Sequence, residues 1–375
     1  MDTSELINVM TLSGLSGLGL NNACQLYRRV GSATAIIEHR DDILDIIPDA
    51  NPRIREILSD ISQPMARAEE ELGFIEKNHI KPLVIGEEGY PIRLAECEDA
   101  PLIVYYLGNS DLNTAKVISI VGTRHCTEYG RSLCERLVHD ISQIYPDTLI
   151  VSGLAYGVDI AAHRATLLNN MSTVGVLAHG LDTIYPNLHR HTASQMVHQG
   201  GLLTEYMSHC LISKGNFVRR NRIVAGMSDA TIVVESAEKG GALITADIAF
   251  SYNRTVAAFP GKVDNPYSAG CHKLIRKNIA SLITCADDLL ELLQWVTDKP
   301  SNNQPRQLEL FNEITDDERK VLDFMKDKDD VMVNGLVVAT GLSYDKLMSL
   351  LLELEFKGVV KVLGGNRYKL LNSSF

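Results

Sequence analysis

The sequence predicts an α/β protein, built on a mostly parallel, doubly wound sheet with helices on both faces. A helical segment precedes the sheet and a winged helix follows it. Three observations carry this prediction. Seven short apolar runs recur between residues 116 and 285, and each of the first six leads through a loop into a helix-period pattern. A polar, proline-containing stretch from Thr297 breaks that rhythm. Beyond it come three helical patterns and a hairpin signal, which is the winged-helix order.

Residues 1–80 read as a small helical domain. Within LSGLSGLGLNNACQLYRRVGSATAIIEH, a Gly-x-Gly turn (Gly17, Gly19) separates two apolar-periodic helices. Such a turn resembles a helix-hairpin-helix, whose amides can hold a DNA phosphate at a helix N-terminus. It is equally the turn of a helical bundle packed on its neighbour. Charge favours the bundle: residues 1–100 carry 9 Lys/Arg against 18 Asp/Glu, which repels a phosphate backbone.

Residues 81–296 hold the sheet. Its runs are KVISIVG, TLIVSG, STVGVLAHG, GLLTEYM, DATIVVES, RTVAAFPG and SLITC. Unbroken apolar runs of this length are strands buried on both faces, and the helical patterns between them supply parallel crossovers. Residues 297–312, in TDKPSNNQPRQLEL, have linker composition. In residues 313–375, TDDERKVLDFMK, VNGLVVATG and SYDKLMSLLLELEFKG precede VVKVLGGNRYKL with its Gly-Gly-Asn turn. The third helix offers Lys346 and Lys357 against Asp345, Glu353 and Glu355. A groove-reading helix needs phosphate and base donors, so a protein-contact role is expected there.

Composition narrows the function. The chain has 375 residues, 45% hydrophobic content and a formal net charge of -11, enough to bury a large core. No apolar run is long enough to span a bilayer, and MDTSELINVM lacks the features of a signal peptide, so a cytoplasmic location is expected. The seven cysteines show no C-x-x-C spacing, and reduced thiols are expected. Eight of eleven histidines fall between His125 and His209, but no carboxylate or cysteine stands at ligand spacing beside His189 and His191, so neither metal nor cofactor is expected. G-x-x-x-x-G-K-[ST], G-x-G-x-x-G after the first strand, H-E-x-x-H and G-x-S-x-G are all absent, and no nucleophile with its base is legible.

In an open parallel sheet, ligands bind at the carboxyl ends of the strands. The loops there carry glycines (Gly122, Gly153, Gly157, Gly240, Gly241) and cations (Arg124, Arg220, Arg222, Lys239, Lys262). Backbone amides at helix N-termini, supplemented by arginine forks, make a phosphate receptor. Residues 115–225 carry 10 Lys/Arg against 7 Asp/Glu in an otherwise acidic protein, and several such loops side by side suit a polyanion. Plainer roles stand beside these. Gly122 and Gly153 serve tight turns, one arginine of FVRRNR pairs with Glu205 or Glu235, His163 is a packed helical histidine, and Asp159 stabilises a helix start.

The motifs IVGTRHCTEYGR, VSGLAYGVDIAAH, GVLAHGLDTIYP, GLLTEY, FVRRNRIVAGMS, KGGALITADIA and FPGKVDNPYSAGCHKLI, in this order across about half the chain, closely resemble the bacterial DprA/Smf family. The resemblance implies a Rossmann-like domain between a SAM-like helical domain and a winged helix. It further implies a mediator, not an enzyme, that protects incoming single-stranded DNA, loads the recombinase RecA during natural transformation and dimerises through the Rossmann-like domain. Single-strand-binding protein is a further implied partner. Carried over by motif, the DNA residues are Arg124, the Arg220-Asn221-Arg222 triplet and Lys239, with Gly153, Tyr156, Gly240, Gly241 and Lys262 completing the expected site. Tyr156 stands where many members have a basic residue, which offers a stacking surface for unpaired bases. Gly240 and Ala242 stand where serines are common, which removes hydroxyl donors and keeps the amides. The alternative is a nucleotide-processing enzyme like the lysine-decarboxylase-like phosphoribohydrolases, with Asp247 in place of their glutamate, although Leu243 replaces a later glycine of that motif.

Overall fold

In the computed structural model, which describes residues 1–48, 51, 53–295, 315–326, 328, 330–356, 359–363 and 367–370, the seven apolar runs form seven parallel strands. With two further strands ahead of them, they are β1 (Lys81–Val84), β2 (Ile103–Gly108), β3 (Val117–Val121), β4 (Leu149–Ser152), β5 (Thr173–Val176), β6 (Gly200–Thr204), β7 (Ala230–Val233), β8 (Thr255–Ala258) and β9 (Ser281–Leu282). The sheet order is β1-β2-β6-β5-β4-β3-β7-β8-β9. From β6 to β9 all pairings are parallel. β2 pairs antiparallel with β6, and β1 with β2. These two strands lie outside the predicted set and extend the sheet beyond its parallel part.

Alternation along β3 shows why both faces are covered. Val117 and Val121 join one core, Ile118 and Ile120 the other, because successive side chains of a strand point to opposite faces. The second core is closed by helices Glu128–Ile144 and Val158–Leu168, through Leu133, Leu137, Ile141 and Val158. The first is closed by helices Lys214–Gly226 and Gly241–Ser251, through Ile223, Val224, Leu243 and Ala246.

The N-terminal helices Thr3–Gly14 and Leu20–Val30 flank the Gly17–Gly19 turn as expected. Their Val9, Met10, Leu12 and Leu26 belong to the same core as Tyr105 and Ile223. This helical bundle therefore packs on the sheet domain, and Met1–Thr297 is one compact unit. A buried carboxylate fastens the two parts. Glu71, on helix Ser62–Lys77, accepts hydrogen bonds from the Ser208 amide at 3.0 Å and from Arg67 at 2.7 Å.

The second unit spans Asp298–Phe375. Helix Asp316–Met325, β10 (Val331–Met332), helices Val333–Thr340 and Tyr344–Phe356, β11 (Val360–Leu363) and β12 (Arg367–Leu370) follow the winged-helix order. Thr315 and Glu318 form a reciprocal capping box at the first helix. The strands pair β10-β12-β11, so the expected two-stranded wing has a third member. The expected linker 297–312, the Gly-Gly-Asn turn and Lys357 lie outside the described residues. No single helix among the described residues is long and apolar enough to cross a membrane.

Candidate nucleic-acid interface

The strand order reverses direction between β3 and β7, and the principal pocket, of about 480 Å³, opens at their carboxyl ends. Five segments meet there: the loop after β3 with Thr123 and Arg124, the loop after β4 with Gly153 and Ala155, the loop after β5 with Tyr185, the helix Lys214–Gly226, and the loop after β7 with Gly240 and Gly241.

The Thr123–Arg124 segment is held from both sides. Thr123 donates its amide to Glu235 O at 2.7 Å, and its own carbonyl accepts from Val158 N at 3.1 Å. Gly157 makes this approach possible. Its φ is +79°, and a Cβ would stand 2.1 Å from Thr123 O. Gly157→Ala is expected to cost about 1–3 kcal/mol in strain and to push Arg124 aside. Urea unfolding and DNA titration of the variant would check both effects; unchanged stability would disprove the packing argument.

Arg220 is the pocket floor. It is buried, with Nη1 donating to Gly153 O at 2.5 Å and to Val176 O, so one guanidinium joins the ends of β4 and β5. A Cβ on residue 153 would lie 2.5 Å from that guanidinium, hence the glycine. Asp159 is buried nearby; burial raises its carboxyl above the usual range, and the charge of Arg220 opposes the rise. Above this floor the walls are aromatic and cationic. Phe217 and Tyr185 lie with ring centroids 5.8 Å apart, and the Arg124 guanidinium lies 5.6 Å from the Phe217 ring centre. Lys214 lines the same cavity. Helix Gly241–Ser251 also begins at this cavity; Leu243 N donates to Gly240 O at 3.1 Å, and no side chain caps the helix start, which leaves the Gly241 and Ala242 amides for a ligand.

The helix period sorts the arginine cluster. Lys214, Phe217, Asn221 and Val224 lie three or four apart on one stripe, with Arg220 beside them, and all five line the pocket. Arg222 points elsewhere, contrary to the expectation that it meets DNA there. It is buried against the Glu205 carboxylate and the Asp99 carbonyl, which meets the expectation that one arginine pairs internally. Arg219 lines a different recess, with the Gly17 turn.

Arg124, Gly153, Arg220, Asn221, Gly240 and Gly241 are thus brought together. Tyr156, Lys239 and Lys262 are not among the lining residues. Tyr156 is exposed, with its ring edge-on to His189 at 5.0 Å. Lys239 lines a neighbouring recess, and Lys262 is exposed in the loop after β8. His163 is fully buried. Thr173 Oγ1 donates to Ile150 O at 2.9 Å and faces His163 Nδ1 at 2.7 Å, so the histidine must donate from Nδ1; burial pushes its pKa down to about 3 and keeps the ring neutral. Its role is packing. No group of three or more His, Cys, Asp or Glu among the described residues is arranged to hold a metal ion.

A family model described as DNA recombination-mediator protein A matches residues 81–294. The chain belongs to this family. The DprA winged helix domain model matches residues 299–366. Among relatives of the DNA recombination-mediator protein A family, Protein Smf of Escherichia coli (strain K12) is 32% identical over 312 residues, covering 81% of this chain and 79% of its own length. DNA processing protein DprA of Streptococcus pneumoniae is 36% identical over 204 residues, 54% of this chain and 71% of its own. The X-ray structure of DNA processing protein A from Streptococcus pneumoniae aligns with a TM-score of 0.63 at 32% identity, over 77% of this chain and 98% of that one. The Helicobacter pylori DNA processing protein A, described for its "unique single-stranded DNA binding mode", aligns with a TM-score of 0.52 at 28% identity, over 58% and 96%. In this DNA recombination-mediator protein A family member, Asp247 lines the neighbouring recess and not the principal pocket, so the phosphoribohydrolase reading lacks its carboxylate where a nucleotide would sit.

Proposed function

We propose that the chain binds single-stranded DNA in the principal pocket and acts as a recombination mediator rather than an enzyme. The observation that carries this is the Phe217–Tyr185 pair beside Arg124 and Lys214, over a floor made by Arg220. Exposed ring faces accept unpaired bases of any sequence, whereas the bases of a duplex are already stacked and paired. The cations and the first amides of helix Gly241–Ser251 receive phosphates. The single-stranded DNA binding mode described for the Helicobacter pylori relative supports the same ligand.

On the family resemblance, this binding protects incoming strands in the cytoplasm and loads RecA onto them during natural transformation. A homodimer formed through the Rossmann-like domain is the working unit, with single-strand-binding protein as a further partner. Fluorescence anisotropy of a labelled oligothymidine, with duplex competitor across a salt series, tests the binding step. The expected result is binding that weakens as salt rises and that duplex competes for poorly. Binding insensitive to salt, or equal competition by duplex, would refute the pocket chemistry. RecA loading is then read from filament assembly on strands precoated with single-strand-binding protein.

A further inference from the structure

Beside the principal pocket lies a second recess, of about 320 Å³. Lys239 enters it from the loop after β7, and Lys273 and Lys277 from the end of helix Ala269–Arg276. None of the three has an ion-pair partner among the described residues, although Glu238 and Asp247 share the lining. Two cations near a helix C-terminus favour the helix dipole, yet at i,i+4 spacing they repel each other. Lys239 belongs to another element and gains nothing from that dipole. Three lysines from two elements against two carboxylates give the lining an excess of positive charge, which suits an incoming anion.

The two cavities are neighbours. Gly240 and Ile244 line both, and the uncapped start of helix Gly241–Ser251 stands between them. The rest of the recess includes Leu243, Leu274 and Ile279, an apolar wall of the kind a base packs against. A surface that pairs lysines with such a wall, next to a pocket with the same pairing, suits successive nucleotides of a strand.

We infer that this recess is a second nucleotide subsite, in which Lys239, Lys273 and Lys277 hold phosphates of the strand segment next to the one in the principal pocket. The inference rests on the reading of that pocket as a single-stranded DNA site. The strand runs from Arg124 past Gly240 and Ile244 into the recess.

Anisotropy with the full chain separates the two readings, using oligothymidines of about four and about fifteen nucleotides, which bracket one and several subsites. Lys273→Gln/Lys277→Gln is expected to weaken the long oligomer about tenfold and to lower its salt slope by about 1.4, two single-strand phosphate contacts. Binding of the short oligomer should stay within about twofold of wild type. A second variant, Lys239→Gln, should act in the same direction with about half the change in slope. An unchanged slope for the long oligomer, or equal losses at both lengths, would overturn the subsite. If Arg124→Ala/Phe217→Ala loses the short oligomer while the lysine variants change nothing, the pocket stands and the recess falls. If that variant keeps the short oligomer while the lysine variants lose the long one, the pocket reading fails and the recess stands as an anion site.

Discussion

Replacing Arg124 and Phe217 together by alanine should lower affinity for single-stranded DNA by about 10²- to 10³-fold with no change in the urea midpoint. Arg124 is solvent-exposed and Phe217 half-buried, and neither belongs to a core cluster, so folding does not depend on them. Stacking of one base on an aromatic ring is worth about 1–3 kcal/mol, and a charge-assisted hydrogen bond about 1.5–3 kcal/mol. Together these span about 2.5–6 kcal/mol, and the lower part of that range, about 3–4 kcal/mol, gives the stated loss at about 1.4 kcal/mol for each tenfold change. The salt slope should fall by about 0.7, one phosphate contact. Arg124→Lys should restore the slope without restoring the full affinity, because a lysine keeps the charge and loses the planar fork over the ring. A loss below about tenfold in the double variant would mean that the aromatic wall does not hold a base.

Glu205→Ala is expected to destabilise the first unit by about 3–5 kcal/mol, read as a lower urea midpoint at constant m. Both side chains of the Arg222–Glu205 pair are buried, at 6% and 4% exposure, so water cannot take the place of the lost carboxylate. Among the described residues, the Asp99 carbonyl would remain as the only other acceptor for Arg222. Replacing both partners, in Arg222→Met/Glu205→Leu, should recover most of the loss, since a buried ion pair is worth little against an apolar pair of similar volume. A cost below about 1 kcal/mol for the single variant would mean that the guanidinium reaches solvent when its partner is gone. The folded fraction of Glu205→Ala should still bind single-stranded DNA, because Arg222 does not line the pocket.

Much of this architecture is legible in the sequence, for identifiable reasons. β3 to β8 stand out because strands covered on both faces lose the polar alternation that hides other strands. β1 and β2 escape because KPLV carries a proline and IVYYLG pairs antiparallel at the sheet margin, where no crossover helix announces the strand. The glycines and arginines of the pocket are visible because ligands gather at strand ends. Lys214, Phe217 and Tyr185 are less so: their meeting depends on how the segment after β6 folds back over the sheet. One signal was available. A helical wheel on KGNFVRRNRIVAG places Lys214, Phe217 and Asn221 on one stripe and turns Arg219 and Arg222 away from it. Tyr156 misleads because Ala155 beside it lines the pocket while its own ring packs edge-on against His189.

The two margins of the sheet bear on self-association. One margin is β1, four residues long, where Pro82 presents no amide hydrogen and Lys81 adds a charge. The other is β9, with only two residues. Neither offers the long row of free peptide groups that recruits a foreign strand, which is how proteins with open sheets escape fibrous aggregation. A second copy of the chain therefore has little to gain by continuing the sheet. Any contact between copies would then use side-chain surfaces, where single substitutions can tune it.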